Sequence, residues 1–218
     1  MFNANQLFKV VNEDDVDLNI PEDQKQTLRQ FAIDYLKKVT GTDRSGIKFN
    51  KENDPFIARL GGNAVAIGAV TSELVKLSVY SPTSVVYHEA FHKIVELLMT
   101  AKERKQLYDA YRNYRPNATE LECAEGLADL FMDWCTKQFI PKDSSWFKKI
   151  SSFFKPVLFG IGMVCKFGLN NTRDFWTIFK DANGGKYATR TISEENKKRF
   201  QDLFGDNLFF TVRNRSTK

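Results

Sequence analysis

The chain has 218 residues, of which 42% are hydrophobic and 27% are charged, and its formal net charge is +5 at pH 7. This length and composition favour a compact domain with a sizeable core and an appendage. Residues 1–20 are polar and include the acidic run Glu13–Asp15, which argues against a secretion signal there. Three cysteines without a CxxC spacing argue against a disulfide framework, so we expect the protein in the reducing cytoplasm.

The first part of the chain is predicted to form one helix and several short strands. Apolar positions at helical spacing predict the helix over Pro21–Val39. Extended segments are predicted at Ile47–Phe49, Phe56–Leu60, Ala64–Val70 and Leu74–Tyr80. Residues 61–63, two glycines and an asparagine, favour a hairpin turn between the second and the third of these segments. The elements therefore predict an α+β fold with a small sheet.

The next predicted helix, Thr83–Met99, carries both histidines of the chain in an HExxH pattern. His88 and His92 are four residues apart, so they project from one helix face and both imidazoles can reach one metal ion. Glu89 lies beside this pair, where it can act as a general base towards a water molecule. Random placement gives this pattern in roughly one chain in two thousand. The sequence thus predicts a metal site with His88 and His92 as ligands and Glu89 as the catalytic residue.

Because the chain has no third histidine, a different side chain must complete the set of protein ligands. The segment Thr119–Phe131 predicts a helix in which Glu122, Glu125 and Asp129 form one acidic stripe beside apolar positions. Carboxylates next to a buried face need a partner, and a metal ion is one such partner. From the residues alone, either Glu122 or Glu125 can be the third ligand.

The HExxH helix and the acidic helix after it resemble the gluzincins, the thermolysin-like division of the zincin metallopeptidases. In that family the third zinc ligand is the glutamate of an ExxxD pair, and the aspartate orients a histidine ligand. Glu125 and Asp129 have this spacing. The resemblance implies Zn²⁺ bound by His88, His92 and Glu125, with Asp129 orienting a histidine. It also implies a zincin-like fold, in which a small sheet packs on the metal helix and the acidic helix.

The resemblance implies two further features of a substrate site. In zincins the edge strand before the metal helix pairs with the substrate backbone, and Ala64–Ala69 is the predicted edge strand here. A peptidase also needs a hydrogen-bond donor for the oxyanion, and a predicted helix over Ala101–Tyr114 offers several side chains. A packing role is the more frequent one for any single member of this set, which consists of Tyr108, Tyr111, Arg112 and Tyr114.

The charge balance changes along the chain. Residues 146–218 hold 14 Lys or Arg against 6 Asp or Glu, whereas residues 1–145 hold 18 against 21. We therefore predict a metallopeptidase domain at 1–145 and a basic, mostly helical C-terminal extension at 146–218. Within residues 146–167 an apolar run is about half as long as a membrane span, which predicts docking on a membrane surface or a protein, or packing on the domain. No nucleic-acid-binding motif accompanies the basic charge.

A looser similarity links the chain to zincin-type domains carried inside large phage proteins. The HExxH pattern, the acidic helix and the later segment Asp181–Tyr187 carry it. It implies a location in the cytoplasm or inside a phage particle. The predicted function is that of a hydrolase, a zinc metallopeptidase that cleaves peptide or protein substrates with a metal-activated water. The alternative is a non-catalytic zincin-like scaffold or virion component that acts through its basic, aromatic C-terminal region.

Overall fold

The computed structural model describes residues 7–50, 54–139 and 172–204, and the predicted docking segment 146–167 lies outside them. The described residues have an α+β fold, as predicted. Five strands in this part of the chain form a sheet: β1 (Leu7–Asn12), β2 (Ile47–Phe49), β3 (Ala58–Gly61), β4 (Ala64–Val70) and β5 (Val75–Leu77). The α-helices of the same residues are α1 (Glu22–Thr40), α2 (Ser84–His92), α3 (Ala101–Tyr114), α4 (Glu120–Phe139), α5 (Thr172–Asn183) and α6 (Glu194–Phe204). Across the described ranges, no helix has the length and apolar character that a membrane crossing requires.

Strand β4 lies in the interior of the sheet. It pairs antiparallel with β1 along its whole length, and it also pairs antiparallel with β3 and with β5. Strand β2 is added to the sheet by parallel pairing with β5. The prediction that Ala64–Ala69 is an edge strand is therefore wrong, because β1 covers that side of β4. Strand β1, which the sequence did not predict, is itself at the end of the strand order β1-β4-β5-β2.

Helix α2 runs through the centre of the fold. It continues directly into a π-helical segment, Lys93–Leu98, so the predicted helix over residues 83–99 is confirmed. Every residue from Val85 to Met99 is buried. Helix α2 packs on β4 on one side, and α1 and α4 lie against it. Because the helix is surrounded by protein, the polar side chains that it carries must find their partners inside the fold.

The helices after residue 171 contribute to the same core. The ring of Phe179 in α5 packs edge-on against Phe91 of α2 and against Phe131 of α4, with centroid distances of 5.3 Å in both cases. Phe200 and Phe204 of α6 are also buried in this core. The described part of the basic extension thus packs directly on α2 and on α4.

The segment Asp181–Tyr187 packs on the C-terminal end of α1. Tyr35 Oη donates a hydrogen bond to Asn183 Oδ1 at 2.9 Å. Gly185 has a φ of +84°, and a Cβ atom there would lie 2.5 Å from the carbonyl oxygen of Lys38. A glycine at this position permits both the backbone conformation and the close approach. Gly185 therefore permits this segment to pack on α1.

Candidate metal centre

Helices α2 and α4 bring His88, His92 and Glu125 together, as the ExxxD spacing implied. His88 Nε2 and His92 Nε2 are 2.9 Å apart. The Glu125 carboxylate lies 3.5 Å from His88 Nε2 and 3.4 Å from His92 Nε2. Ligands at 2.0–2.1 Å from a tetrahedral zinc ion are about 3.3 Å apart. The two Glu–His separations, which involve different oxygens of the carboxylate, are close to this value, and the His–His separation is shorter. The three side chains could therefore hold a metal ion.

The electrostatics of the cluster favour a cation. Burial and the nearby Lys9 lower the pKa of His88, but its contacts with Asp129 and Glu125 outweigh them and raise that pKa to about 9. Burial raises the pKa of Glu125, but the two histidines beside it lower that pKa to about 2. The carboxylates thus hold a proton on His88 when no other cation is bound. A metal ion can take the place of this proton.

Glu89 is fully buried next to the two histidines. Neither of its carboxylate oxygens has a hydrogen-bond partner among the described residues. Burial raises the pKa of Glu89 to about 8, although the nearby His88 opposes this effect. An unpaired buried carboxylate costs stability, and such groups are frequent at functional sites. The backbone N–H of Lys9 also opposes this rise of the pKa, but neither oxygen of Glu89 has a donor at hydrogen-bond geometry in the described structure.

Gly68 of β4 makes room for this carboxylate. A Cβ atom at position 68 would lie 2.9 Å from Cδ of Glu89 and 2.8 Å from Cγ1 of Val85. Gly68 was not predicted from the sequence as a residue of the site. A glycine in the interior of an otherwise apolar strand is a signal that could have found it, since such a glycine often marks a close approach.

Asp129 approaches His88 at Nδ1, the ring nitrogen that Glu125 does not contact. Its Oδ1 atom is 3.0 Å from His88 Nδ1. The same oxygen accepts a hydrogen bond from Nζ of Lys9 in β1, at 2.6 Å. Burial lowers the pKa of Lys9, but the ion pair with Asp129 raises it above the ordinary value, so the ammonium group stays charged. Lys9 was not predicted from the sequence, because its place depends on the pairing of β1 with β4.

Glu122, the alternative metal ligand, has a different role. Its Oε2 atom accepts hydrogen bonds from the backbone N–H and from the hydroxyl of Thr119, each at 3.0 Å. In return, the backbone N–H of Glu122 donates to Thr119 Oγ1 at 3.2 Å. This reciprocal pair is a capping box at the start of α4. The structure therefore places Glu125, and not Glu122, at the two histidines.

The four predicted oxyanion donors lie on α3 or at its end, in different surroundings. Tyr108 is buried and its hydroxyl donates to Glu96, and Arg112 donates to the carbonyl oxygen of Ala118 at 3.0 Å. Tyr114 is 40% exposed. The ring of Tyr111 lies against Gly126, where a Cβ atom would be 2.5 Å from its Cζ. These contacts fit the packing role that is the more frequent one for such residues.

The comparisons with known proteins leave the site to be interpreted from its own chemistry. No protein-family model, no curated protein and no solved structure matches the chain. In the part of the chain that the structure describes, His88, His92 and Glu125 are the one group of three or more potential metal ligands that lie close enough to share an ion. The donor set and its surroundings therefore carry the functional argument.

Proposed function

We propose that the protein is a zinc-dependent peptidase of zincin-like architecture, with His88, His92 and Glu125 as the zinc ligands. Two imidazoles and one carboxylate, with a fourth position free for water, are a standard ligand set of catalytic zinc. The position of Asp129 supports this assignment, because a carboxylate at Nδ1 fixes the ring so that Nε2 faces the metal. The separations of 2.9 Å, 3.4 Å and 3.5 Å between the donor groups are close to those of a tetrahedral site.

The observation that carries the proposal is the buried, unpaired carboxylate of Glu89 beside these ligands. When bound, zinc polarises the scissile carbonyl group and lowers the pKa of water. Glu89 accepts the proton of the attacking water and delivers it to the leaving amine. Without a metal, the pKa of Glu89 is about 8. A nearby dication lowers this pKa towards neutrality, where the side chain can both accept and deliver a proton.

Strand β1 supports a peptide as the substrate. Among the described strands it is at the end of the sheet, and its residue Lys9 reaches the candidate site. An extended peptide can add to such an edge through backbone hydrogen bonds, which bind many sequences alike. We therefore propose β1, in place of Ala64–Ala69, as the strand that aligns the substrate.

Hydrolysis by wild type and by Glu89→Gln tests the catalytic role. The substitution keeps the size of the side chain and removes the base, so we expect unchanged zinc content and at least about a hundredfold loss of peptide hydrolysis. A diverse peptide library with quenched fluorescence provides the measurement. If zinc-loaded wild type cleaves no member, the scaffold alternative takes the place of the peptidase. Equal cleavage by both proteins would mean that Glu89 is not the base.

The ligand assignment is tested by zinc affinity, with two isosteric substitutions on α4. Glu125→Gln removes a charged ligand, and we expect it to weaken zinc binding at least about a hundredfold. Glu122→Gln is the matched control, because Glu122 lies three residues earlier and is bound to Thr119. Competition with a fluorescent chelator gives both dissociation constants. A larger loss in Glu122→Gln than in Glu125→Gln would transfer the ligand role to Glu122.

A further inference from the structure

The ion pair between β1 and α4 lies outside the proposed ligand set, but it is connected to it. Lys9 Nζ and His88 Nδ1 approach the same oxygen of Asp129, at 2.6 Å and 3.0 Å. The Lys9 side chain is 19% exposed and the Asp129 side chain is 39% exposed, so this contact is only partly shielded from solvent. One carboxylate oxygen thus joins the strand to the ring of a proposed ligand.

The sheet directs Lys9 to this position through two local features. In the pairing of β1 with β4, Lys9 lies opposite Gly68. Directly opposed residues project from the same face of a sheet, so the side chain of Lys9 leaves on the face where Gly68 makes room for Glu89. The register also shifts between Lys9 and Val10, whose partners are Gly68 and Ala66. Such a bulge re-aims side chains and is frequent next to active sites.

The charges of the site show what Lys9 contributes. The carboxylates of Glu89, Glu125 and Asp129 are negative when ionised, and Lys9 is the basic side chain paired with them in the described structure. A bound dication together with Lys9 therefore balances the three carboxylates. Asp129, like Glu89, makes no proposed bond to the metal, and Lys9 is the basic side chain that contacts it directly.

We infer that Lys9 is a positioning residue of the metal centre, which holds Asp129 against His88 and thereby fixes that imidazole for metal binding. This inference rests on the proposed function. The ammonium charge also repels a dication, and the two effects have opposite signs. The orienting effect is the larger one, because loss of a carboxylate behind a histidine ligand costs 10–100-fold in affinity. The repulsion, by contrast, is largely cancelled by the partner carboxylate at 2.6 Å.

The test compares the zinc affinity of wild type, Lys9→Met and Lys9→Arg by chelator competition. We expect about tenfold weaker binding in Lys9→Met, which keeps the apolar stem but loses the donor. Lys9→Arg keeps both charge and donor and should bind zinc within about threefold of wild type. Lys105→Met is the matched control, since Lys105 forms a 2.5 Å ion pair with Asp109 at the surface. We expect no change in affinity there.

A double-mutant cycle shows whether Lys9 acts through Asp129. If it does, Lys9→Met weakens zinc binding in wild type but causes no further loss in the Asp129→Asn background, where removing the uncancelled ammonium charge can only favour the dication. Additive losses, or zinc binding by Lys9→Met that equals or exceeds that of wild type, would overturn the inference. Wild type that binds no zinc would instead defeat the proposed function as well. Circular dichroism of each metal-free variant checks the fold. If Lys9→Met does not fold, Lys9→Gln replaces it, and we again expect weaker zinc binding.

Discussion

At the scale of single residues, the candidate site depends on the lack of a side chain at position 68. Gly68 leaves the space in which the carboxylate of Glu89 lies, in the middle of a strand that is buried from Val65 to Val70. A residue with a side chain there would occupy this space against α2. It would not leave room for a buried carboxylate.

Gly68→Ala should therefore impair catalysis more than metal binding. The added methyl group would meet Glu89 and Val85 at under 3 Å, so the carboxylate has to move. We expect at least about a tenfold loss of peptide hydrolysis, a stability loss of about 1–3 kcal/mol from overpacking, and zinc affinity close to wild type. Hydrolysis rates, urea unfolding and chelator competition measure the three effects.

Gly46→Ala is the control for overpacking alone. A Cβ atom at Gly46 would lie 2.7 Å from Cγ2 of Thr42, which is the same kind of close contact with a side chain that has no proposed role in the site. We expect some loss of stability there without a loss of hydrolysis. Full activity in Gly68→Ala would show that Glu89 does not need its observed position.

At the scale of elements, the C-terminal helix α6 connects the two ligand-bearing helices. Glu96, in the π-helical segment after His92, is fully buried and accepts a hydrogen bond from Arg199 of α6 at 2.7 Å. Arg199 also donates to Glu120, at the start of α4. The arginine thus joins the segment that follows the histidines to the helix that carries Glu125.

Arg199→Met should destabilise the whole fold. It leaves the buried carboxylate of Glu96 without its cationic partner, which typically costs about 3–5 kcal/mol. Lys197→Met on the same helix is the control, because its ion pair with Glu194 is at the surface. Urea unfolding of the metal-free proteins at neutral pH gives both changes. If the two variants are equally stable, the Glu96 pair is not what holds α6 in place.

Most elements follow from local sequence patterns, and the structure shows where those patterns stop being informative. Strands β2 and β4 and helix α3 have the predicted bounds, and α1 is displaced by one residue at each end. Their apolar periodicity and turn residues are local signals. Strand β1 was not predicted. The order of the strands depends on pairing between distant segments, which local sequence patterns do not reveal. The edge strand was therefore assigned to the wrong segment.

The same distinction applies to the candidate site. The spacing within one helix predicted His88, Glu89 and His92. The resemblance carried by the ExxxD spacing implied Glu125 and Asp129. Lys9 and Gly68 were not predicted, because they meet the site only after β1 has paired with β4. The competition between Glu122 and Glu125 could have been decided from the sequence, since Thr119 precedes Glu122 by the three residues of a capping box.

At the scale of the whole molecule, metal binding and stability should depend on each other. The proposed ligands come from two helices in the core, so an ion that binds only the folded chain stabilises the fold. Zinc at a hundred times its dissociation constant would add about 2.7 kcal/mol. Mg²⁺, which prefers oxygen ligands, is the control and should add little.

The pH dependence of this stabilisation follows from His88. Its pKa in the metal-free fold, about 9, exceeds the ordinary value of 6.5, so the proton stabilises the metal-free fold below about pH 6.5. That contribution is lost as the pH rises through about 9. Zinc must displace this proton, so its affinity should rise about tenfold per pH unit between about pH 6 and 8. Melting curves with and without zinc test this, and an equal gain from zinc at both ends of the range would contradict it.

The long sequence separation between contacting residues has a consequence for biosynthesis. Lys9 and Asp129 are 120 residues apart, and Glu96 and Arg199 are 103 residues apart. At 5–20 residues per second, the ribosome needs roughly 6–24 s to pass from the first partner of the Lys9 pair to the second. For the 33 residues from His92 to Glu125 (125 minus 92), the nascent chain holds both histidines without the carboxylate that lies beside them in the fold. Under the proposed function, hydrolytic activity would therefore appear only after α4 has been synthesised and has packed on α2.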